Sequence, residues 1–266
     1  MLKNKKLLRV IVIFAYLNSL QARDWFSSKK DVKAPLPTEL NEKDRNDLVC
    51  DHLIEDFSTS EVGAFPKDWQ PKYEKHLKPI TESKLWVVER DSVMNQNVLK
   101  GTYATETMTI VKKISDWNLD LYPYFEWDWK AEVLPTMANE FDSKKNDSAA
   151  SVYLAWKLEY SFIPAKTLRF AWSTTQKINA TLRRMQGYDN IVIMESGSEH
   201  LHQWRHVRVN LKAMIPNLVK LKGKESVPYA LALTTDADQT KSSSQAYYAN
   251  FKACRLKEKP ESQKNL

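Results

Sequence analysis

A chain of 266 residues, 42% hydrophobic and 27% charged, can bury a full core as one large β domain or two small ones. Its net charge of +7 sits at the ends. Lys3, Lys5, Lys6 and Arg9 are unopposed before residue 23, and residues 252–266 carry five bases against two acids. The body between them is neutral, which excludes a nucleic-acid partner gripped through its phosphates by the folded surface.

The N-terminal stretch MLKNKKLLRVIVIFAYLNSLQA has a basic start, an apolar run from Leu7 to Leu17 interrupted by Arg9, and Ala22 at a cleavage position. This layout predicts a signal peptide over residues 1–22, since the run is short for a bilayer span. An uncleaved anchor or a packed helix is the alternative. The expectation is a periplasmic or secreted protein with no membrane span in the mature chain. Residues 23–47 are polar, contain two prolines and no sustained period, and read as a linker or extended arm. Residues 257–266 read as a disordered charged tail.

The domain is expected over residues 48–256. LVCDHLIEDFS opens it as a first strand, in which Leu48, Cys50, His52 and Ile54 alternate with their neighbours. A loop carrying Trp69 follows, then the strand KLWVVERD. The run VLKGTYATETMTIVKKI reads as one long strand. From Tyr124 to Val133 the alternation is strict: Phe125, Trp127, Trp129, Ala131 and Val133 on one face, and Tyr124, Glu126, Asp128, Lys130 and Glu132 on the other. The first face must be core; the second must be solvated or line a polar groove. The segments AASVYLAWKLEYSF, TLRFAWST, NIVIMESG and LHQWRHVRVNL continue the strand series. Leu211, Met214, Ile215, Leu218 and Leu221 then fit one helical face offset by Pro216. YALALTTDAD and AYYANFKACRL close the domain.

Nine or ten strands, one short helix and no strand–helix–strand rhythm predict an antiparallel β-sandwich of jelly-roll type. Cys50 and Cys254 are either a disulfide, which would bring the first and last strands together, or two buried thiols. With only five glycines, Asn, Asp, Ser and Pro must build most turns.

The segments EDFSTS, FPKDWQ, YPYFEWDWKAEVLP, NDSAASVYLAW and TTDADQT followed by AYYANF resemble an uncharacterised bacterial family, domain of unknown function 3047, over about residues 48–256. The resemblance implies a β-sandwich of galactose-binding or lectin-like outline outside the cytoplasm. It implies no activity, substrate or catalytic residue.

Several residue groups could carry chemistry. Asp236 and Asp238, with Thr240, alternate at a strand end, and Asp147, beside Asn146, opens another strand. If these ends meet, their oxygens suit calcium; otherwise they cap turns. Glu126 and Asp128 are similar to the strand acids of retaining glycosidases, but the third acid falls out of step and the pattern fails. His200, His202 and His206 are spaced for zinc only if another element supplies a ligand. Trp69, Trp117 and Tyr124 are the candidates for an exposed sugar-stacking ring. No nucleophile-elbow, zincin, phosphate-loop or redox-dithiol motif is present. The leading expectation is a non-catalytic module binding a carbohydrate or cell-envelope ligand through Tyr124, Glu126, Asp128, Lys130 and Asp147. A metal-assisted polysaccharide hydrolase or lyase built on Asp147, Asp236 and Asp238, and an envelope protein-interaction factor, are the alternatives. Calcium is the one cofactor considered.

Overall fold

The computed structural model describes residues 47–104, 106–157, 165–184, 188–219, 221 and 227–257. The expected signal peptide, the arm up to residue 46, the continuation of the AASVYLAWKLEYSF strand beyond residue 157, and the tail from residue 258 lie outside the described residues.

Thirteen strands are described. They are β1 (Leu48–Glu55), β2 (Trp69–Pro71), β3 (Trp86–Asp91), β4 (Gln96–Thr102), β5 (Ile110–Lys113), β6 (Tyr124–Val133) and β7 (Ser148–Lys157). Then come β8 (Ala165–Ser173), β9 (Thr181–Arg184), β10 (Asp189–Ser196), β11 (Arg205–Asn210), β12 (Ala230–Asp236) and β13 (Gln245–Leu256). Helix α1 is Leu77–Glu82 and α2 is Leu211–Leu218. Asn210 caps α2 by accepting the Ala213 N–H at 3.0 Å, the usual remedy for an orphan N-terminal donor.

One sheet has six strands in the order β11-β6-β13-β4-β3, with β1 also on β13; the other has seven, β2-β5-β12-β7-β8-β10-β9. The chain changes sheet at eight of its twelve connections between described strands: β1–β2, β2–β3, β4–β5, β5–β6, β6–β7, β10–β11, β11–β12 and β12–β13. That repeated crossing makes the β-sandwich a jelly roll. One pairing departs from the antiparallel expectation: β10 lies parallel to β8. The chain runs out to β9 at the sheet edge and returns into the gap between β8 and β9, so β10 is antiparallel to β9 and parallel to β8.

The expected single strand from Val98 to Ile114 is two strands in different sheets. Its threonine-rich middle makes the crossing, with polar groups bonded along the way. Tyr103 N–H donates to Ser244 O at 3.0 Å, the Thr107 hydroxyl to Asp236, and the Thr109 and Thr234 hydroxyls pair at 3.0 Å.

Strand parity predicts the core on β6. Phe125, Trp127, Trp129 and Ala131 are fully buried, and only Val133, at the strand end, is exposed. Trp127 meets Phe170 of the opposite sheet at 5.1 Å between ring centres, and Trp129 meets Trp172 at 5.9 Å. Offset and edge contacts of this kind add to the area term. Among the described residues the indole N–H groups of Trp127 and Trp129 find no acceptor, a local cost accepted for ring packing. At Gly101 a Cβ would lie 2.6 Å from the ring of its cross-strand partner Trp86 and 2.7 Å from the Thr235 hydroxyl of the opposite sheet, so only glycine fits there.

Cys50 on β1 and Cys254 on β13 form a disulfide across 204 residues of chain, beside the ladder that joins the two strands.

Candidate functional site

The outer face of the six-stranded sheet carries the second set of β6 side chains, and neighbouring strands divide it into two ends. At one end the side chains are spent on one another. Tyr124 is buried against Cys254, with Leu48 and Cys50 of β1 packed over it. Glu126 accepts from Arg208 Nε at 2.8 Å and Nη2 at 2.5 Å. Asp128 receives His206 Nδ1 at 2.9 Å and donation from Asn250 Nδ2 at 2.7 Å. Burial alone would raise the Glu126 carboxyl, but bonds from His206 and Arg208 outweigh it and hold it below the usual carboxylate range. Of the residues expected to meet a ligand, Glu126 and Asp128 are therefore tied into an ion-pair lattice and Tyr124 is packed against the disulfide.

His206 is held up to about 9, first by its bond to Asp128 and then by Glu126, against an ordinary value near 6.5. Folding thus tightens proton binding at this ring. Its stabilising contribution is complete below pH about 6.5 and disappears as pH rises through about 9. Urea unfolding at pH 6 and pH 9.5 is expected to show a wild-type advantage over His206→Gln at the lower pH that vanishes at the higher. An equal difference at both pH values would contradict the assignment.

The three histidines do not assemble. β11 begins only at Arg205, and His202 sits in the preceding turn with φ of 64°. His200 Nδ1 faces Glu195 at 3.3 Å, His202 Nδ1 faces Glu132 at 2.5 Å, and His206 faces Asp128. Each ring has its own acid, so the strand geometry needed for a shared zinc is absent among the described residues.

At the other end of the face, Lys130 stands between two rings. Its Nζ lies 4.4 Å from the centre of Tyr247 and 5.3 Å from Trp204, within cation–π range. It also pairs with Glu132 at 3.0 Å and Asp91 at 3.6 Å. Trp204 Nε1 donates to Asp91 at 3.2 Å, Tyr247 OH to Glu89 at 3.3 Å, and Lys100 Nζ to Glu89 at 3.0 Å. Burial, then the charges of Glu89 and Glu132, push the Tyr247 phenol up to about 12, so it stays a neutral donor. Beside Tyr247 an open groove of about 600 Å³ runs over Val87, Glu89, Lys100, Thr102 and Gln245, with Val62, Gly63 and Lys84 on its walls.

The rings expected to be exposed are core. Trp69 and Trp117 are buried, as is Tyr124, and the indoles donate inside the fold, Trp69 to Glu55 at 2.8 Å and Trp117 to Tyr122 O at 3.0 Å. Trp204 and Tyr247 take their place, both half-buried. Alternation along AYYANF could have found Tyr247, since it faces opposite to the fully buried Tyr248. No signal marks Trp204, which lies outside any regular strand.

The acidic strand ends do converge. β12 pairs with β7 so that Asp236 lies opposite Ser148, which brings Asp147, Asp236 and Asp238 carboxylate oxygens within 4.8 Å of one another. Asp147 also caps the turn, accepting Gln239 N–H at 3.2 Å and Thr240 N–H at 2.6 Å. Thr240 turns its hydroxyl to Ser242, and Asn146 gives its side-chain oxygen to Arg169, so neither joins the cluster. Burial, then the charge of Asp238, pushes Asp236 up to about 7; burial, then Asp147, raises Asp238. In the same turn Asp238 Oδ1, Gln239 Oε1 and Ser244 Oγ are buried without a hydrogen-bond partner among the described residues. The donor set, all oxygen and rich in carboxylates, fits a hard cation such as calcium.

Sequence reading missed a buried network on the seven-stranded sheet. Arg169 donates from Nε to Ser151 at 3.0 Å, from Nη1 to Asn146 at 2.9 Å and from Nη2 to Ser148 at 2.5 Å. Ser148 and Ser173 both donate to Glu140, at 2.7 and 2.5 Å. Glu140 is fully buried, and burial raises its carboxyl against the pull of Arg169.

Fold and surface together define a disulfide-linked two-sheet β-sandwich with one polar, ring-bearing outer face. The chain belongs to the family described as "Protein of unknown function (DUF3047)", whose model matches residues 67–252. No curated protein matches it. Among solved structures it is similar to a family 11 carbohydrate-binding module from Clostridium thermocellum in complex with a β-1,3-1,4-mixed-linked tetrasaccharide. Identity there is 8%, with a TM-score of 0.40, covering 78% of this chain and 97% of that one. A carbohydrate-binding module specific for non-crystalline cellulose follows at 10% identity and TM-score 0.31, covering 65% of this chain and 80% of that one. An exo-β-agarase matches at 8% identity and TM-score 0.38, with 79% of this chain and 25% of that one covered.

Proposed function

We propose that this protein is an exported, non-catalytic module that binds a carbohydrate ligand of the cell envelope or its surroundings on the outer face of the six-stranded sheet. The observation that carries the reading is the groove over Glu89, Lys100 and Gln245, bordered by the half-buried Tyr247 through its bond to Glu89, with Lys130 and the half-buried Trp204 next to Tyr247 along the face. Flat rings cover the apolar faces of sugars, while carboxylates, amides and ammonium groups bind hydroxyls. Lys130 remains in the site; Tyr124, Glu126 and Asp128 support it from the saturated end. The Cys50–Cys254 disulfide supports a periplasmic or secreted location, because such bonds persist in oxidising compartments.

Isothermal titration against a glycan panel tests this. Tyr247→Ala and Trp204→Ala are each expected to weaken binding about tenfold, the equivalent of one lost ring contact, with melting temperature little changed. Failure of every glycan to bind would favour the protein-interaction reading.

The convergence of Asp147, Asp236 and Asp238 favours a second reading, in which calcium is held there. Asp147 has no exposed surface and Asp236 only 8%, so a cation at this place would brace the β7–β12 turn rather than meet a polysaccharide. The hydrolase or lyase alternative is correspondingly weaker. Calcium is expected to raise the melting temperature of EDTA-stripped protein, as any ligand selective for the native state does, and to do nothing for Asp236→Asn/Asp238→Asn. No calcium effect on the wild type would remove this reading.

A further inference from the structure

We infer that the groove takes an acidic polysaccharide, a chain whose sugars carry carboxylate or sulfate groups. The inference rests on the carbohydrate reading of this face and narrows it. Three cations, Lys84, Arg90 and Lys100, line the groove against a single acid, Glu89. That acid is already engaged: Lys100 Nζ holds one carboxylate oxygen at 3.0 Å and Tyr247 OH the other at 3.3 Å. Lys100 and Glu89 therefore cancel, and the uncompensated charge is that of Lys84 and Arg90. Arg90 donates to the neutral amide oxygen of Asn95 at 2.7 Å, which leaves its charge unopposed. Among the described residues, no ion pair reaches Lys84 or Arg90.

The placement of the two cations has a structural cause. Lys84 follows the C-terminus of α1, where its N–H donates to Thr81 O and its backbone takes φ of 49°. That left-handed turn fixes the Cα at the wall of the groove while the ammonium stays in solvent. Arg90 lies near the end of the edge strand β3 with the parity of Val88, whose N–H and C=O both bond to the Gly63–Ala64 loop, so it lines the groove at its end rather than standing beside Glu89 on the sheet face. Lys130, farther along the face, is outweighed by Asp91 and Glu132. The uncompensated positive charge is thus confined to the groove. A glycan laid along it would place its anionic groups over Lys84 and Arg90 and its ring faces over Tyr247 and Trp204.

Exposed charges attract weakly and are screened by salt, which gives the inference a distinct signature. Isothermal titration is run with a neutral polysaccharide, its uronate-bearing counterpart and its sulfated counterpart, at about 50 and about 500 mM NaCl. One or both acidic chains are expected to bind about tenfold or more tightly than the neutral chain at low salt, and to lose most of that advantage at high salt. Preference between the two acidic arms identifies the group recognised. Lys84→Gln/Arg90→Gln, both on the surface, is expected to fold normally and to bind acidic and neutral chains alike. Equal binding of acidic and neutral chains by the wild type, or a preference retained in the double variant, would overturn the acidic assignment and leave the carbohydrate reading standing. Failure of every chain to bind would overturn both.

Discussion

Replacing Cys50 and Cys254 together by alanine is expected to lower the unfolding free energy by about 5 kcal/mol, measured by urea denaturation in non-reducing buffer. The bridge closes 204 residues, and chain-entropy loss in the unfolded state grows with the logarithm of loop length. The geometry concentrates the effect. β13, the longest of the described strands, pairs with β6 on one side from Gln245 to Cys254 and on the other with β4 from Gln245 to Tyr248 and then β1 from Phe251 to Leu256. The ladder between β1 and β13 has two register shifts, so the covalent bond compensates for an irregular pairing. Loss of the bridge should free β1 first and uncover Tyr124, which Leu48 and Cys50 cover. A double variant within about 1 kcal/mol of wild type would mean that the unfolded chain is already compact in this region.

Arg169→Met is the second large change, expected to cost about 3–5 kcal/mol. All three faces of the guanidinium are used inside the fold, on Ser151, Asn146 and Ser148, and it lies 5.5 Å from the centre of the Tyr153 ring. Removing it takes away the positive charge that opposes the burial of the Glu140 carboxyl, which keeps only its bonds from Ser148 and Ser173, and leaves the Asn146 oxygen without its donor. Much of the expected loss is the cost of a buried carboxyl without its counter-charge and of acceptors without their donor, rather than the net value of the bonds removed. Arg169→Met combined with Glu140→Gln should therefore recover part of the stability lost by the single change. Additive losses in the double variant would show that the two residues act independently.

The alternation on β6 was legible because a strand's parity is a local property. Phe125, Trp127 and Trp129 could face only inward once the strand was recognised, and the acids between them only outward. Parity does not reveal which strand lies alongside. Tyr124 has the outward parity of Lys130, yet Leu48 and Cys50 of β1 pack against it while Lys130 lies between Trp204 and Tyr247, a difference set by the pairing of β1 with β13 across about 200 residues of chain. Trp69 and Trp117 sit in loop-like sequence, where exposure is the default expectation; acceptors on Glu55 and Tyr122 draw them in. Arg169 alternates correctly with Leu168 and Phe170, so its parity was visible, but the partners that let a charge be buried come from β7 and the loop before it. The meeting of Asp147 with Asp236 depended likewise on β7 and β12 being neighbours.

The central claim, that a glycan lies along the outer face of the six-stranded sheet, is tested most directly by backbone and indole NMR shifts during titration with an acidic oligosaccharide. The predicted result is a contiguous set of perturbations at Val87, Glu89, Lys100, Lys130, Trp204 Nε1, Gln245 and Tyr247, with the Arg169 network on the opposite sheet unmoved. Saturable shifts confined to the seven-stranded sheet, or to the Asp147–Asp236–Asp238 cluster, would contradict it.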